Sequence, residues 1–140
     1  MSIYLDASVL VALLMVDAFM ARADAFFREN TPVLIVSDFA ATEFASAVAR
    51  RVRTGDITAD EARSGFSAFD TWTARATLRE ETMSAESRTA EMFLRRLDLT
   101  LRTADALNIA IAQQIRAALV TFDQRMAANA RMLGIPVVAA

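Results

Sequence analysis

The chain has no cysteine, no histidine and no lysine. Without cysteine, disulfide stapling and a thiolate metal site are both excluded. Without histidine, imidazole acid–base chemistry and the usual zinc ligands are gone. Without lysine, Schiff-base catalysis and a P-loop fall away, and all 15 basic residues are arginine. A formal net charge of −2 supplies no general attraction for nucleic acid. Binding to RNA or DNA would need a local arginine patch or a bound cation. Only three glycines and two prolines punctuate the sequence. It contains no internal repeat, no low-complexity segment and no linker.

What is present is a hydrophobic fraction of 55% in 140 residues. That excludes a disordered chain and predicts one domain, residues 1–140, with a real core. The apolar run Val9–Val16, followed by Ala21-Arg22-Ala23, has the outline of a signal-peptide core and cleavage site. No basic residue precedes that run, however, and Asp6 stands in front of it, which argues against a secretory signal. The run is also too short to span a membrane. The expected location is the cytoplasm, with no membrane partner.

The stretch Ile3-Tyr4-Leu5-Asp6-Ala7-Ser8 organises the rest. Three residues suited to a buried strand run into a carboxylate, with a hydroxyl two positions later. An acid there costs free energy unless it is hydrogen-bonded or faces a cation. Two readings stand at this point: Asp6 caps the helix that follows, or it is the first ligand of a metal site at the carboxyl end of a parallel strand.

Further along, Val9, Leu10, Leu13, Leu14 and Val16 lead to Phe19, Phe26 and Phe27, a pattern for one or two helices with Asp17 outside. Asn30-Thr31-Pro32 breaks it. Val33–Val36 is a second buried strand. Ser37-Asp38 starts a helix that runs to Arg53, where Thr54-Gly55-Asp56 stops it. Thr58-Ala59-Asp60-Glu61 is a capping box opening a helix through Phe66, Phe69 and Trp72, an apolar stripe for the core or a subunit interface. A short strand is expected at Thr77–Arg79. Ser84 starts a helix over Ala85–Leu97, with Met92, Phe93 and Leu97 facing inward. Thr103 caps a helix over Ala104–Ala117, with Leu107, Ile111 and Ile115 on one stripe. Leu119–Thr121 is a strand, Gln124–Leu133 a helix stopped by Gly134, and Ile135–Val138 an edge strand. Strands alternating with helices give an α/β fold with a parallel sheet.

Asp6 and Asp123 both follow short buried strands, Glu43 lies in the first turns after the second strand, and Asp105 opens its helix. All four belong on the carboxyl side of the sheet. Each has an ordinary explanation as well: Asp105 suits a helix macrodipole and Asp123 is a good N-cap. Glu43, set among Phe39, Phe44 and Ala47, is harder to explain as structure. Ser8 and Thr121 read as a cap and a strand hydroxyl. The arginines at 50, 51 and 53 read as a solvated helix end, with RNA backbone contact as the sharper alternative. Separate caps do not explain why all four acids fall on one side. Clustered carboxylates repel unless a cation neutralises them, and oxygen-only ligands suit Mg²⁺ or Mn²⁺. Such ions serve phosphodiester hydrolysis.

Leu5-Asp6-Ala7-Ser8, Ser37-Asp38 through Glu43-Phe44, Arg102-Thr103-Ala104-Asp105-Ala106-Leu107 and Leu119-Val120-Thr121-Phe122-Asp123 occur in this order along the whole chain. In that arrangement the sequence resembles a PIN-domain ribonuclease of the VapC toxin type found in bacterial toxin–antitoxin pairs. The resemblance implies a three-layer fold, a short parallel sheet flanked by helices. It implies Mg²⁺ or Mn²⁺ bound by Asp6, Glu43, Asp105 and Asp123, with Ser8 and Thr121 as accessory polar positions. It further implies endonucleolytic cleavage of RNA, commonly tRNA or rRNA, a homodimer, and a VapB-type antitoxin partner that covers the site. Asn108 stands where many relatives carry histidine, and segment 73–83 matches poorly.

Two rivals differ in class. A receiver-like or phosphatase-like domain would also use an acidic pocket, but the receiver needs a lysine and the phosphatase expects a second aspartate where Ser8 stands. A non-catalytic PIN-like binding module would be expected to have lost at least one acid, and all four are present.

Overall fold

The structure, a computed structural model, describes residues 1–15, 20–29 and 32–138. Strand β1 (Ser2–Leu5) forms where Ile3, Tyr4 and Leu5 are wholly buried. Burial of consecutive residues means that both faces are covered, as a parallel strand requires. The order continues α1 (Ala7–Leu14), α2 (Met20–Glu29), β2 (Val33–Ser37), α3 (Asp38–Arg53), α4 (Ala59–Ala76) and β3 (Thr77–Glu80). It closes with α5 (Ser84–Arg95), α6 (Thr103–Gln114), β4 (Ala118–Val120) and α7 (Gln124–Met132). Val16, Asp17 and Phe19 of the first helical pattern, and Asn30-Thr31 of the break after it, lie outside the described residues.

The sheet order is β3-β2-β1-β4, and every pairing is parallel. From β1 the chain steps outward twice in one direction, then returns through α5 and α6 to β4 on the other side. Right-handed crossovers therefore put α1 to α4 on one face and α5 and α6 on the other, an α/β three-layer fold. The strand order reverses between β1 and β4. In such sheets the crevice at that reversal, beyond the carboxyl ends of the strands, is where ligands bind.

The core packs around β1 and α1, with Leu10, Phe44, Val48, Ile109, Ile111 and Leu119 among the fully buried side chains. Phe44 stacks on Phe69 at 4.6 Å and meets Phe66 edge-on at 6.3 Å, so the α4 stripe is core. At Gly65 a Cβ would run into the Met15 sulfur, which keeps α4 close to α1. Among the described residues no helix is long and apolar enough to cross a membrane.

Several local expectations hold. The Thr58–Glu61 capping box is present, β3 occupies the short strand expected at Thr77–Arg79, and Gly134 adopts φ +78 beyond α7. Others need correction. Met92 and Leu97 do not face inward; they are 68% and 89% exposed. The buried stripe of α5 passes through Glu86 and Ala90, with Phe93 and Leu94 packed beside it, and Met92 lies off that line. Leu97 is beyond the helix at φ +67. Thr103 does not cap α6. The cap is Arg102, whose N–H donates to the Asp105 carboxylate, which starts the helix one residue earlier. That helix ends at Gln114, not Ala117, because Arg116 turns left-handed at φ 56. Residues 135–138 make only an isolated bridge, Leu119 to Val137, since Pro136 has no N–H to extend a ladder.

Candidate active site

Three of the four acids are fixed by the local rules that start a helix. Asp6 is the N-cap of α1: its Oδ1 accepts from the Val9 N–H at 3.2 Å. Asp123 caps α7 in the same way, accepting from the Met126 N–H at 3.0 Å. Asp105 sits in the first turn of α6 and takes the Arg102 N–H at 3.1 Å. Glu43 lies in the second turn of α3, next to the buried Phe44. The choice between cap and site was therefore not exclusive for Asp6: the capping bond is what holds the acid at the sheet edge.

Asp6 is the most enclosed, at 3% exposure. Ser8 donates to its Oδ1 at 2.6 Å and Thr121 donates to its Oδ2 at 2.5 Å. The Ser8 hydroxyl in turn accepts from the Phe122 N–H, and the Thr121 hydroxyl from the Asp123 N–H. These bonds tie the ends of β1 and β4 together at the reversal. Burial pushes the Asp6 carboxyl up to about 6, against the Ser8, Thr121 and Val9 donors that pull it down, and the charge of Asp123 raises it further.

Glu43 is half-buried. Its carboxyl is raised above the ordinary value by burial, lowered by a hydrogen bond from Asn108, and raised again by the charges of Asp6 and Asp105. The charge of Asp123 thus acts on Asp6, and those of Asp6 and Asp105 act on Glu43. Asp105 and Asp123 line a common cavity of 420 Å³ together with Arg102, Gln124 and Arg125. Asn129 holds that cavity's walls: it accepts from the Thr100 N–H and donates to the Thr100 hydroxyl, joining the loop before α6 to α7. Arg50 and Arg51 line a different cavity, with Ala47, Thr54 and Asp56.

Among the described residues no three acids stand close enough to close on a single ion. The donor chemistry nonetheless fits Mg²⁺. That ion keeps several waters and takes only one or two protein carboxylates, which suits a cavity lined by two of the four acids.

Among the polar residues behind the acids, sequence reasoning missed Tyr4 and Glu86, read Ser37 only as a helix start and left Asn108 without a role. Tyr4, Ser37, Asn108 and Glu86 are all buried near them. The Tyr4 phenol is raised above its ordinary value by burial, with the charges of Asp6, Glu43 and Glu86 adding to the effect. Two signals were available: a tyrosine between Ile3 and Leu5 in a strand with both faces covered, and an asparagine on the inner stripe of α6. Either buried polar group demands partners.

A family model for the PIN domain matches residues 3–132. No curated protein sequence matches the chain. Among solved structures, VapC20 of Mycobacterium tuberculosis, a toxin that cleaves the sarcin–ricin loop, superposes with a TM-score of 0.76 at 20% identity, covering 97% of this chain and 98% of that one. VapBC2 of Rickettsia felis, solved on a DNA fragment from its promoter, gives 0.70 at 13%, covering 99% and 98%. FitAcB of Neisseria gonorrhoeae gives 0.68 at 17%, covering 98% and 95%. A match over nearly the whole chain and a parallel sheet of order β3-β2-β1-β4 flanked by helices agree: the chain belongs to the PIN domain family.

Proposed function

We propose that this chain is a metal-dependent endoribonuclease toxin of the VapC type, with Asp6, Glu43, Asp105 and Asp123 as the acids that hold Mg²⁺ or Mn²⁺. The observation that carries the reading is the cavity lined by Asp105 and Asp123, with Asp6 and Glu43 coupled to it by charge. Like charges that face one cavity are relieved by a divalent cation. When bound, the ion supplies charge stabilisation for a phosphodiester under attack and activates water. The chain's own residues do the rest. Ser8 and Thr121 orient Asp6 through two short bonds. The caps of α1, α6 and α7 fix the directions in which the acids point.

The structural neighbours support the remaining parts. VapC20 is a toxin that cleaves the sarcin–ricin loop, and the Rickettsia structure is a VapBC complex on a DNA fragment from its promoter. By analogy, the substrate here is structured RNA, tRNA or rRNA. The partner is a VapB-type antitoxin covering the acidic cavity, and the protein acts in the cytoplasm as a homodimer. The phosphatase-like alternative loses ground because Ser8, at the position of its second aspartate, is spent on Asp6 and the Phe122 N–H.

The test is cleavage of total cellular RNA by the antitoxin-free protein with Mg²⁺ or Mn²⁺, with EDTA, and with Asp6→Asn. Discrete fragments that require metal and vanish in the variant are expected. A folded protein that neither cleaves RNA nor binds metal would instead be a non-catalytic PIN module.

A further inference from the structure

A buried chain of hydrogen bonds runs from the start of α3 to Glu43, and each link has one direction only. The Ser37 hydroxyl accepts from the Ala40 N–H at 2.9 Å as the N-cap of α3. It lies 2.7 Å from the Tyr4 phenol oxygen. Tyr4 donates its single proton to Asn108 Oδ1 at 2.7 Å, so Ser37 is the donor in its contact with Tyr4. Asn108 Nδ2 then donates to Glu43 Oε1 at 2.8 Å and to the Ala104 carbonyl at 3.1 Å. Both of those partners accept only, so the Asn108 amide can face them with nothing but its nitrogen. Its oxygen is thereby turned to the Tyr4 phenol.

Ser37, Tyr4 and Asn108 are each 1% exposed or less. Such a network is costly unless every member is satisfied, and here each one is. Glu43 is the member left part-exposed. One of its oxygens is held by Asn108, and among the described residues nothing donates to the other. Three elements, β1, α3 and α6, thus converge on the rotamer of one carboxylate.

We propose that Asn108, locked by Tyr4 and Ser37, is a positioning residue that presents the free Glu43 oxygen to a divalent cation. The inference rests on the metal-binding role of Glu43 argued above, and it assigns Asn108 and Tyr4 a function of their own. A hydrogen-bonded partner behind a metal-binding group contributes about 10- to 100-fold in metal affinity.

The test is a double-mutant cycle read by Mn²⁺ affinity in calorimetry on the antitoxin-free full chain, with the folded state of each variant checked by circular dichroism. Asn108→Leu should weaken Mn²⁺ binding by about 10- to 100-fold. Tyr4→Phe should weaken it when Asn108 is present, because the buried amide oxygen then loses its donor and the amide is no longer held against Glu43, and should change nothing in an Asn108→Leu background. Asn108→Ser is the second variant should leucine prevent folding: its hydroxyl can still reach the Ala104 carbonyl one turn back, but not Glu43. A purely structural role would lower thermal stability and leave the Mn²⁺ affinity of the folded variants unchanged; that result overturns the proposal, as would additive effects in the cycle. Failure of the wild-type chain to bind Mn²⁺ would overturn the metal reading itself and this inference with it.

Discussion

The Thr121 hydroxyl donates to Asp6 Oδ2 at 2.5 Å across a separation of 115 residues, joining the ends of two strands that pair side by side. The Thr121 hydroxyl oxygen also accepts from the Asp123 N–H at 3.0 Å. Thr121→Val keeps the shape and removes both partners. A buried acceptor and a backbone donor left unsatisfied cost about 1–3 kcal/mol each in such settings. Urea unfolding should show a loss of that order, larger at pH 8 than at pH 4, because only the ionised Asp6 needs all its donors. An equal loss at both pH values would mean that the Asp123 N–H, not Asp6, carries the effect.

Asp6 also makes the metal-free protein sensitive to pH. Its carboxyl titrates at about 6 in the fold against an ordinary 3.8. The folded chain therefore holds that proton more tightly than the unfolded chain does. Stability is full below about pH 4, falls as the pH rises towards 6 and is flat above, with a total loss of up to about 3 kcal/mol. Asp6→Asn removes the charge, and its amide can still meet the Thr121 oxygen. In EDTA at pH 7 to 8 the variant should be more stable than wild type, and the gap should close at pH 4. A variant less stable at every pH would show that the carboxylate is a net stabiliser.

The parts of this molecule legible in the sequence are those set by neighbours a few residues away. The Thr58–Glu61 box, Gly134, the break before β2 and the acids themselves all follow from spacing within a turn or two. The corrected positions depend on what packs from elsewhere. Met92 is as hydrophobic as Phe93, and only the approach of Ala106 and Ala110 to Ala90 decides which side of α5 is covered. Tyr4 reads as one more strand residue because its partners lie 33 and 104 positions away. Glu86 carries no local mark beyond that of a first-turn acid, yet it is 2% exposed. The candidate site was legible early because three of its four acids coincide with helix starts; the polar residues behind them were not, because they are joined by long-range contacts.

Charge repulsion among the acids predicts a response to metal that does not depend on cleavage. A cation that binds only the folded state stabilises it by mass action, about 2.7 kcal/mol at a hundredfold excess over Kd. Mn²⁺ should raise the melting temperature of the wild-type chain, and the rise should shrink in Glu43→Gln and in Asp6→Asn. Ca²⁺ and Na⁺ at matched ionic strength separate specific binding from screening. A rise equal in all variants would place the ion outside the four acids.

Arg102 and Arg125 line the cavity that holds Asp105 and Asp123, yet among the described residues neither guanidinium is in an ion pair. The two acids instead turn to backbone N–H groups at the starts of α6 and α7, which leaves the guanidinia for an external anion. On a chain with a net charge of −2, this is the arginine pair best placed to offset the repulsion between acids and RNA. Binding should be measured by fluorescence anisotropy with a labelled single-stranded RNA, on an Asp6→Asn background to prevent cleavage, across a salt series. Each phosphate contact contributes about 0.7 to the slope of log K against log salt for single strands. Arg102→Ala with Arg125→Ala should therefore lower that slope by about 1.4 and weaken binding uniformly across sequences. Arg50→Ala with Arg53→Ala, at the far end of α3, should leave the slope unchanged. The reverse pattern would carry the RNA over the end of α3 and away from the acids, and would count against the cavity as the place where the backbone is cut.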